Sequence, residues 1–375
     1  MLERITTFIR ELYQEPDSFI PLHAPIFSGN EKKYLCNCVD TTFVSSVGEY
    51  VNQFESMIQD FTKSRKAVAV ANGTCGLTTA LSLAGVQSGD LVLTQALTFV
   101  ATANAIRHIG AKPAFLDSDK DTLGMSPDAL RAFLEHHDST RQRIAACVPV
   151  HILGHACRIR EICDICMEWD IPVVEDAAEA LGSTLGTKHL GTFGLLGVLS
   201  FNGNKTITTG GGGMILTNNE ELGIRAKHLT TTAKIPHPWE FQHDEIAWNY
   251  RMPNINAALG CGQMEQLQAI LDDKKCIAQA YRNFFAEIDD IKYIDEPNGC
   301  KSNFWLNTIL FSNREKRDEF LVFSNNHGIM SRPLWTLMPD LPMYKTSPTD
   351  NLVNARHISE RAVSLPSSPR LEQHQ

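Results

Sequence analysis

Long apolar runs are missing from this chain of 375 residues. No stretch approaches the ~20 apolar residues needed to span a bilayer, so no transmembrane helix is expected. The first twenty residues, MLERITTFIRELYQEPDSFI, lack an apolar core and carry several acids. A secretory signal is therefore not expected, and the cytoplasm is the expected compartment. A basic excess is missing too. Lys and Arg number 34 against 43 Asp and Glu, a formal net charge of −9. That balance argues against a general nucleic-acid footprint, yet it leaves room for a phosphate held by a few local donors. Ten cysteines include one CxxC, Cys163 and Cys166. A zinc or redox site would need a second CxxC or a paired histidine motif at suitable spacing, and neither occurs. Reduced, mostly buried thiols and no metal are expected. Internal repeats and low-complexity segments are also absent.

What remains is ordinary in bulk, 43% hydrophobic and 21% charged, as in globular proteins generally. Its order is informative. Helical patterns over 1–20, 30–39 and 47–63 come first. Strand-like apolar runs at 67–71, 91–94, 114–116, 144–150 and 172–175 then alternate with helical periodicity. Such alternation predicts an α/β fold with a mostly parallel sheet covered on both faces. Beyond residue 205 the pattern changes. A strand is predicted at 214–217 and a helix at 222–230. Residues 234–253, rich in His, Pro, Trp and Asn, read as a long functional loop. Asn254 to Leu271 reads as one helix that could continue to about residue 289, and short strands and helices follow. The expected organisation is a large α/β domain over 1–255 and a smaller C-terminal α+β domain over 256–375. The polar tail, 370–375, is expected to fray.

The candidate chemistry centres on Lys205 in GLLGVLSFNGNKTITTGGGG. An apolar run delivers a lone lysine, and four glycines follow. About thirty residues upstream, VVEDAAE is a short buried-strand pattern ending in carboxylates. A lysine at a strand end can form a Schiff base with an aldehyde. A carboxylate at another strand end, Asp176, can hold a protonated pyridine nitrogen. Together they describe a site for pyridoxal 5'-phosphate, the electron-sink cofactor of amino-group transfer. Asn72-Gly73-Thr74 follows a strand and opens a helix, where free N–H groups suit a phosphate; a plain capping turn is the alternative, with Thr74 able to cap. Phe99 could lie on a flat ring, or belong to the core. Glu179, one turn beyond Asp176, could reach the cofactor hydroxyl or the substrate, or sit on a solvated face. Ser200 could donate to the phosphate or to nearby backbone. His151, in VPVHILGH at another strand end, could orient cofactor or substrate, or be a hydrogen-bonded core histidine.

The ordered set NGT, TFVATANA, VHxxGH, EDAAEALGS, GTFG, SFNGNK, TTGGGG and NYRMPNINAALG resembles the DegT/DnrJ/EryC1/StrS family of nucleotide-sugar aminotransferases, over about residues 20–370. Within it, IPLHAPIFSGNEKKYL, CVDTTFVSSVGEYVNQFE and KHLTTTAKIPHPWEFQHDEIAWNYRMPN are similar to the subgroup of legionaminic acid and bacillosamine synthesis. The resemblance implies the fold-type-I transferase architecture. Lys205 becomes the Schiff-base lysine and Asp176 the partner of the pyridine nitrogen. Phe99 takes the ring-stacking position, and Gly73, Thr74, Cys75 and Ser200 the phosphate positions. His151 is expected on the substrate side. Asn249 and Arg251 fall in a loop that, in this family, reaches the neighbouring subunit's site, which implies a homodimer. Glu179 stands where many relatives have Gln or His, and Cys75 where Ser or Ala is common. Relatives that are dehydratases have histidine in place of the lysine, so Lys205 favours amino transfer.

The implied reaction moves an amine from L-glutamate, leaving 2-oxoglutarate, to the 4-keto carbon of a nucleotide-linked 2-acetamido-4-keto-6-deoxyhexose, UDP-linked in the first instance. The product class is an amino sugar of a surface polysaccharide or glycan. A GDP- or dTDP-linked keto-sugar, or a 3-keto sugar, is the alternative of the same class. A non-catalytic PLP-binding regulator is a rival of another class; the Lys205–Asp176 pair and the net negative charge weigh against it. An NAD-dependent oxidoreductase is a third. Against it, TTGGGGM lacks GxGxxG spacing after a strand with an acid about 20 residues on.

Overall fold

The computed structural model describes residues 1–137 and 142–371. Of the tail expected to fray, residues 372–375 lie outside the described residues. Helices α1 (Leu2–Tyr13), α2 (Glu31–Asp40) and α3 (Glu49–Thr62) precede the first strand. The helix predicted over 1–20 is shorter than expected. It ends at Gln14, whose left-handed backbone (φ 54°) returns its N–H to the carbonyls of Arg10 and Glu11, ahead of Pro16.

Strand and helix then alternate: β1 (Lys66–Val70), α4 (Gly73–Leu83), β2 (Leu91–Gln95), α5 (Val100–His108), β3 (Lys112–Leu116), α6 (Pro127–His136), β4 (Ile144–Val148), α7 (Ile159–Glu168), β5 (Val174–Asp176), β6 (Leu196–Ser200) and β7 (Gly213–Thr217). The strands assemble in the order β1-β7-β6-β5-β4-β2-β3. Parallel bridges from Cys147 to Val173 and from Val150 to Asp176 join the two halves. Only β7 runs antiparallel to its neighbours. KAVAV, LVLTQ and GMILT are almost wholly buried, as expected of strands covered on both faces. The alternation thus yields the mostly parallel sheet it predicted. The exception is the strand leaving the glycine run, which turns straight back against β6.

After α8 (Glu220–Thr230), capped by the Asn219 side chain, the segment expected to be a loop carries a short antiparallel ladder. Lys234 faces His243 and Ile235 faces Gln242. Helix α9 (Asn254–Phe285) spans 32 residues and packs on α2 and α3. A second, antiparallel sheet follows, ordered β8 (Ile291–Ile294), β9 (Asn307–Phe311), β11 (Ala362–Leu365) and β10 (Arg332–Pro333). Helices α10 (Arg314–Asn326) and α11 (Val353–Ser359) accompany it. Ile5 and Ile9 of α1, Tyr281 and Phe285 of α9, and Ile309 and Val363 of this sheet share one apolar cluster.

Candidate active site

The carboxyl ends of β1, β2, β4, β5 and β6 open on one cavity of about 360 Å³, where open α/β sheets place ligands. Gly73, Thr74, Phe99, Asp176, Glu179, Ser200 and Lys205 all line it. Seven residues spread over 133 positions of sequence are therefore brought together by the strand order.

Lys205 is held by a tight loop beyond β6. Its amide donates to Asn202 O (3.0 Å), while Phe201 exchanges backbone bonds with Gly212 and Thr209. Its side chain is 13% exposed, with Nζ 3.4 Å from Glu179 Oε1 and 3.8 Å from the centre of the Trp305 ring. The Trp305 indole N–H donates to Asn204 O, beside the lysine (2.7 Å). A cation over an indole face and next to a carboxylate is favoured twice. The glycine run has a steric purpose at Gly213. A Cβ there would lie 2.7–2.8 Å from the Asn72 carbonyl and the Gly73 nitrogen, so only glycine lets β7 pass beneath the Asn72–Gly73 turn.

At that turn Asn72, not Thr74, caps α4; its side chain accepts from the Cys75 N–H (2.8 Å). The amides of Gly73 and Thr74 have no carbonyl a turn earlier in the helix to bond, and they sit where the macrodipole favours an anion. Ser200 meets this turn from β6, 3.2 Å from where a Gly73 Cβ would stand.

Three carboxylates in one short segment take three different tasks. Glu175 is fully buried. It accepts from the amides of Gly191, Phe193 and Gly194 and bonds His151 Nε2 (2.8 Å). Asp176 is 5% exposed. It accepts from the Thr102 hydroxyl (2.7 Å) and the Ala178 amide (3.1 Å). Burial pushes its carboxyl above the usual range, opposed by these two donors and by Lys205 and His151. Glu179 accepts from the Leu153 amide (2.7 Å) as well as Lys205. It too is pushed up by burial, against the pull of Lys205. Glu179 is thus no solvated helix residue.

Phe99 is 52% exposed, a cavity-wall aromatic and not a core residue. Its ring centre lies 6.4 Å from that of Trp335. His151 departs from the substrate-facing expectation. It is fully buried, and Nδ1 accepts from the Cys157 amide (3.4 Å), which leaves Nε2–H to donate to Glu175. A side chain committed on both nitrogens in the core cannot reach a substrate. Cys75 follows Thr74 in α4, but the cavity wall does not include its side chain. Asn249 and Arg251 are not brought to this cavity. Their backbone passes the end of β1, with the Ala71 amide on Tyr250 O (2.8 Å). Arg251 Nε donates to Asn249 Oδ1 (2.9 Å), and Arg251 lines a different groove with Lys234 and His237.

The cavity also contains residues that the sequence motifs did not single out. Thr102 lies in the first turn of α5, and Thr98 precedes the helix just before its extended N-cap, Phe99. Trp305 and Trp335 come from the C-terminal part of the chain, where no local pattern marks them.

The DegT/DnrJ/EryC1/StrS aminotransferase family model matches residues 25–375. The chain belongs to this family. Its cofactor is pyridoxal phosphate and its chemistry is transamination. Among curated proteins it is similar to GDP-perosamine synthase of Vibrio cholerae, 35% identical over 94% of this chain and 95% of that one. It is equally similar to the putative pyridoxal phosphate-dependent aminotransferase EpsN of Bacillus subtilis, 35% identical over 94% and 92%. Among solved structures, the aminotransferase TlmJ from Streptoalloteichus hindustanus superposes with a TM-score of 0.87 at 25% identity, covering 95% of each chain. The residues of this aminotransferase fit the cofactor. The cavity offers an amine, a buried carboxylate with a full set of donors, an exposed ring and an anion-seeking helix start.

Proposed function

We propose that this sugar aminotransferase moves an amino group from L-glutamate to the 4-keto carbon of a nucleotide-linked 2-acetamido-4-keto-6-deoxyhexose, with UDP as the carrier, in building an amino sugar of a surface polysaccharide or glycan. The observation that carries the amino transfer is the convergence of Lys205 and Asp176 on one cavity beside the start of α4; the sugar and its UDP carrier rest on the resemblance of the chain's motifs to the legionaminic acid and bacillosamine subgroup. Pyridoxal phosphate, when bound, supplies a ring that accepts the electron pair left as a proton leaves the amino-bearing carbon. Lys205 would anchor it through Nζ and, once the glutamate amine has displaced that linkage, the freed Nζ would carry that proton, as a base toward glutamate and as an acid toward the sugar carbon. Asp176 keeps the ring nitrogen protonated. Phe99, on the cavity wall, would lie against the ring. Gly73, Thr74 and Ser200 would receive the phosphate at the helix start, while the Cys75 amide is already committed to the Asn72 side chain. Glu179 holds the Lys205 amine near the cavity floor. His151 acts from behind, through Glu175 and the backbone of β5.

A homodimer is part of the reading. Phe43, Trp239, Phe241 and Ile246 stand exposed, an apolar set that a partner would cover. Arg251 and Asn249, turned from this chain's own cavity, would then complete the partner's. We also place the enzyme in the cytoplasm and divide it at residue 255, where α9 leads toward the second sheet. No described helix is long and apolar enough to cross a membrane.

Incubating the enzyme with glutamate and a panel of UDP-, GDP- and dTDP-linked 4-keto sugars, read by mass, tests the substrate. The UDP-linked acetamido sugar should gain one amine for each 2-oxoglutarate formed. Exclusive use of a GDP-linked sugar would establish the second reading, which the 35% identity to GDP-perosamine synthases of Vibrio cholerae and Escherichia coli O157:H7 favours.

A further inference from the structure

Asp176 sits at the end of a directed chain of hydroxyls. Thr102 Oγ1 lies 2.7 Å from Asp176 Oδ2, and an ionised carboxylate only accepts. The single hydroxyl proton of Thr102 is therefore committed to Asp176. Thr98 Oγ1 lies 3.1 Å from Thr102 Oγ1. Because Thr102 has no second proton to give, Thr98 must donate to it. The competing acceptor for Thr98, the Phe99 carbonyl, is farther away at 3.4 Å. Both hydroxyls point the same way along the chain, and each polarises the next. Thr98, Thr102 and Asp176 are all buried, Thr98 completely. The charged and titratable groups around the carboxylate are Lys205, His151 and Glu179. The other carboxylate oxygen takes the Ala178 amide. Thr98 and Thr102 bracket the first turn of α5, and Phe99 projects into the cavity between them.

We propose that Thr98 and Thr102 are positioning residues that act in series, holding the Asp176 carboxylate ionised and aimed at the cavity on the same turn that presents Phe99. The inference rests on the reading of Asp176 as the partner of the cofactor's ring nitrogen. Without the relay, Oδ2 would be a buried carboxylate oxygen without its donor, and burial would drive the carboxyl toward its neutral form, which accepts a ring N–H poorly.

Two measurements test it: the affinity of the apoprotein for pyridoxal phosphate by equilibrium dialysis, and the rate of the glutamate half-reaction of the loaded enzyme. Thr102→Val, which keeps the shape and loses the hydroxyl, should weaken cofactor binding and slow the half-reaction by about 10-fold or more each, as for a hydrogen bond to a charged group. Thr102→Ser should stay within about 3-fold of wild type, since it retains the bond. Thr98→Val should cost less, and the double variant should be no worse than Thr102→Val alone, because Thr98 acts only through Thr102. A purely structural pair would lower thermal stability and leave cofactor affinity alone, which overturns the proposal. So would full additivity of the two valine substitutions. If Thr102→Val does not fold, Thr98→Val decides: weakened cofactor binding supports the relay and unchanged binding overturns it. Asp176→Asn separates the two levels. When it impairs both measurements while Thr102→Val impairs neither, only the relay has failed; when it too is silent, the reading of Asp176 has failed and the relay with it.

Discussion

Lys205 is where the proposed chemistry is most exposed to a single substitution. Its amine lies between Glu179 and the Trp305 ring, with space toward the cavity. Lys205→Ala should fold, lose turnover below detection and lose the visible absorbance of lysine-linked cofactor, because no other cavity group can form that linkage. Glutamate-dependent transfer surviving in this variant would show that another group anchors the cofactor. Asp176→Asn should bind the cofactor more weakly and lower the rate of glutamate deprotonation by about 100-fold or more, since a neutral amide cannot hold the ring nitrogen protonated. A rate within a few-fold of wild type would leave Asp176 as a helix-capping residue. These two residues were legible because each lies at the end of an apolar run, and strand ends are where such sheets gather ligands. His151 has the same sequence signature, yet it turned out to be a core histidine. Which side of a strand end a residue faces depends on its neighbours across the sheet, here Glu175, and one-dimensional spacing does not encode that. Trp305 and Trp335 reach the cavity from a hundred or more residues beyond Lys205, so nothing local could have marked them.

Glu175 shows how an element, more than a residue, is held. The amides of Gly191, Phe193 and Gly194 and the His151 ring converge on its carboxylate, pinning the GTFG turn to β5 and setting the direction in which β6 leaves toward Lys205. Replacing it with Gln removes one acceptor oxygen and leaves buried amides without a partner. Glu175→Gln should therefore cost about 2–4 kcal/mol of stability in urea unfolding and loosen the loop that carries Lys205. Loss of less than about 0.5 kcal/mol, the range of surface changes, would show that the turn is held by other contacts. At this scale the alternation of strands and helices was readable, because strands buried on both faces are continuously apolar. The antiparallel course of β7 was not, since a short apolar strand reads alike in both directions. The end of α1 was misjudged because a polar Gln14 adopts the left-handed turn that glycine usually announces.

Across the whole molecule, distant segments meet in two ways that can be tested. Lys274 on α9 is buried; its amine donates to Trp305 O and Ser367 O and shares a third hydrogen bond with His23 Nε2. These partners come from near the amino end, the cavity wall and near the carboxyl end. Burial lowers the Lys274 pKa to about 7, below the ~10.4 of an unfolded lysine. Between these values the unfolded chain binds a proton that the folded protein has released, so this group makes stability rise with pH. The stability difference between wild type and Lys274→Met should grow from pH 7 to pH 9, by at most about 1.4 kcal/mol per unit; a flat difference would mean that Lys274 stays charged when folded. The second meeting, which we propose, is between chains. Arg251 is bonded to Asn249 and turned into a groove apart from its own cavity, whose His237 and Lys234 pack against the exposed Trp239 and Phe241. In a two-fold dimer the same patch serves both subunits, so each Arg251 would serve the site built on the other chain's Lys205. An Arg251→Ala subunit mixed with a Lys205→Ala subunit then forms heterodimers in which one site is intact and both lesions fall in the other. With random pairing half the dimers are mixed, so activity should return to about a quarter of wild type although each parent is impaired. Heterodimers that form and stay as inactive as the parents would show that Arg251 serves its own subunit.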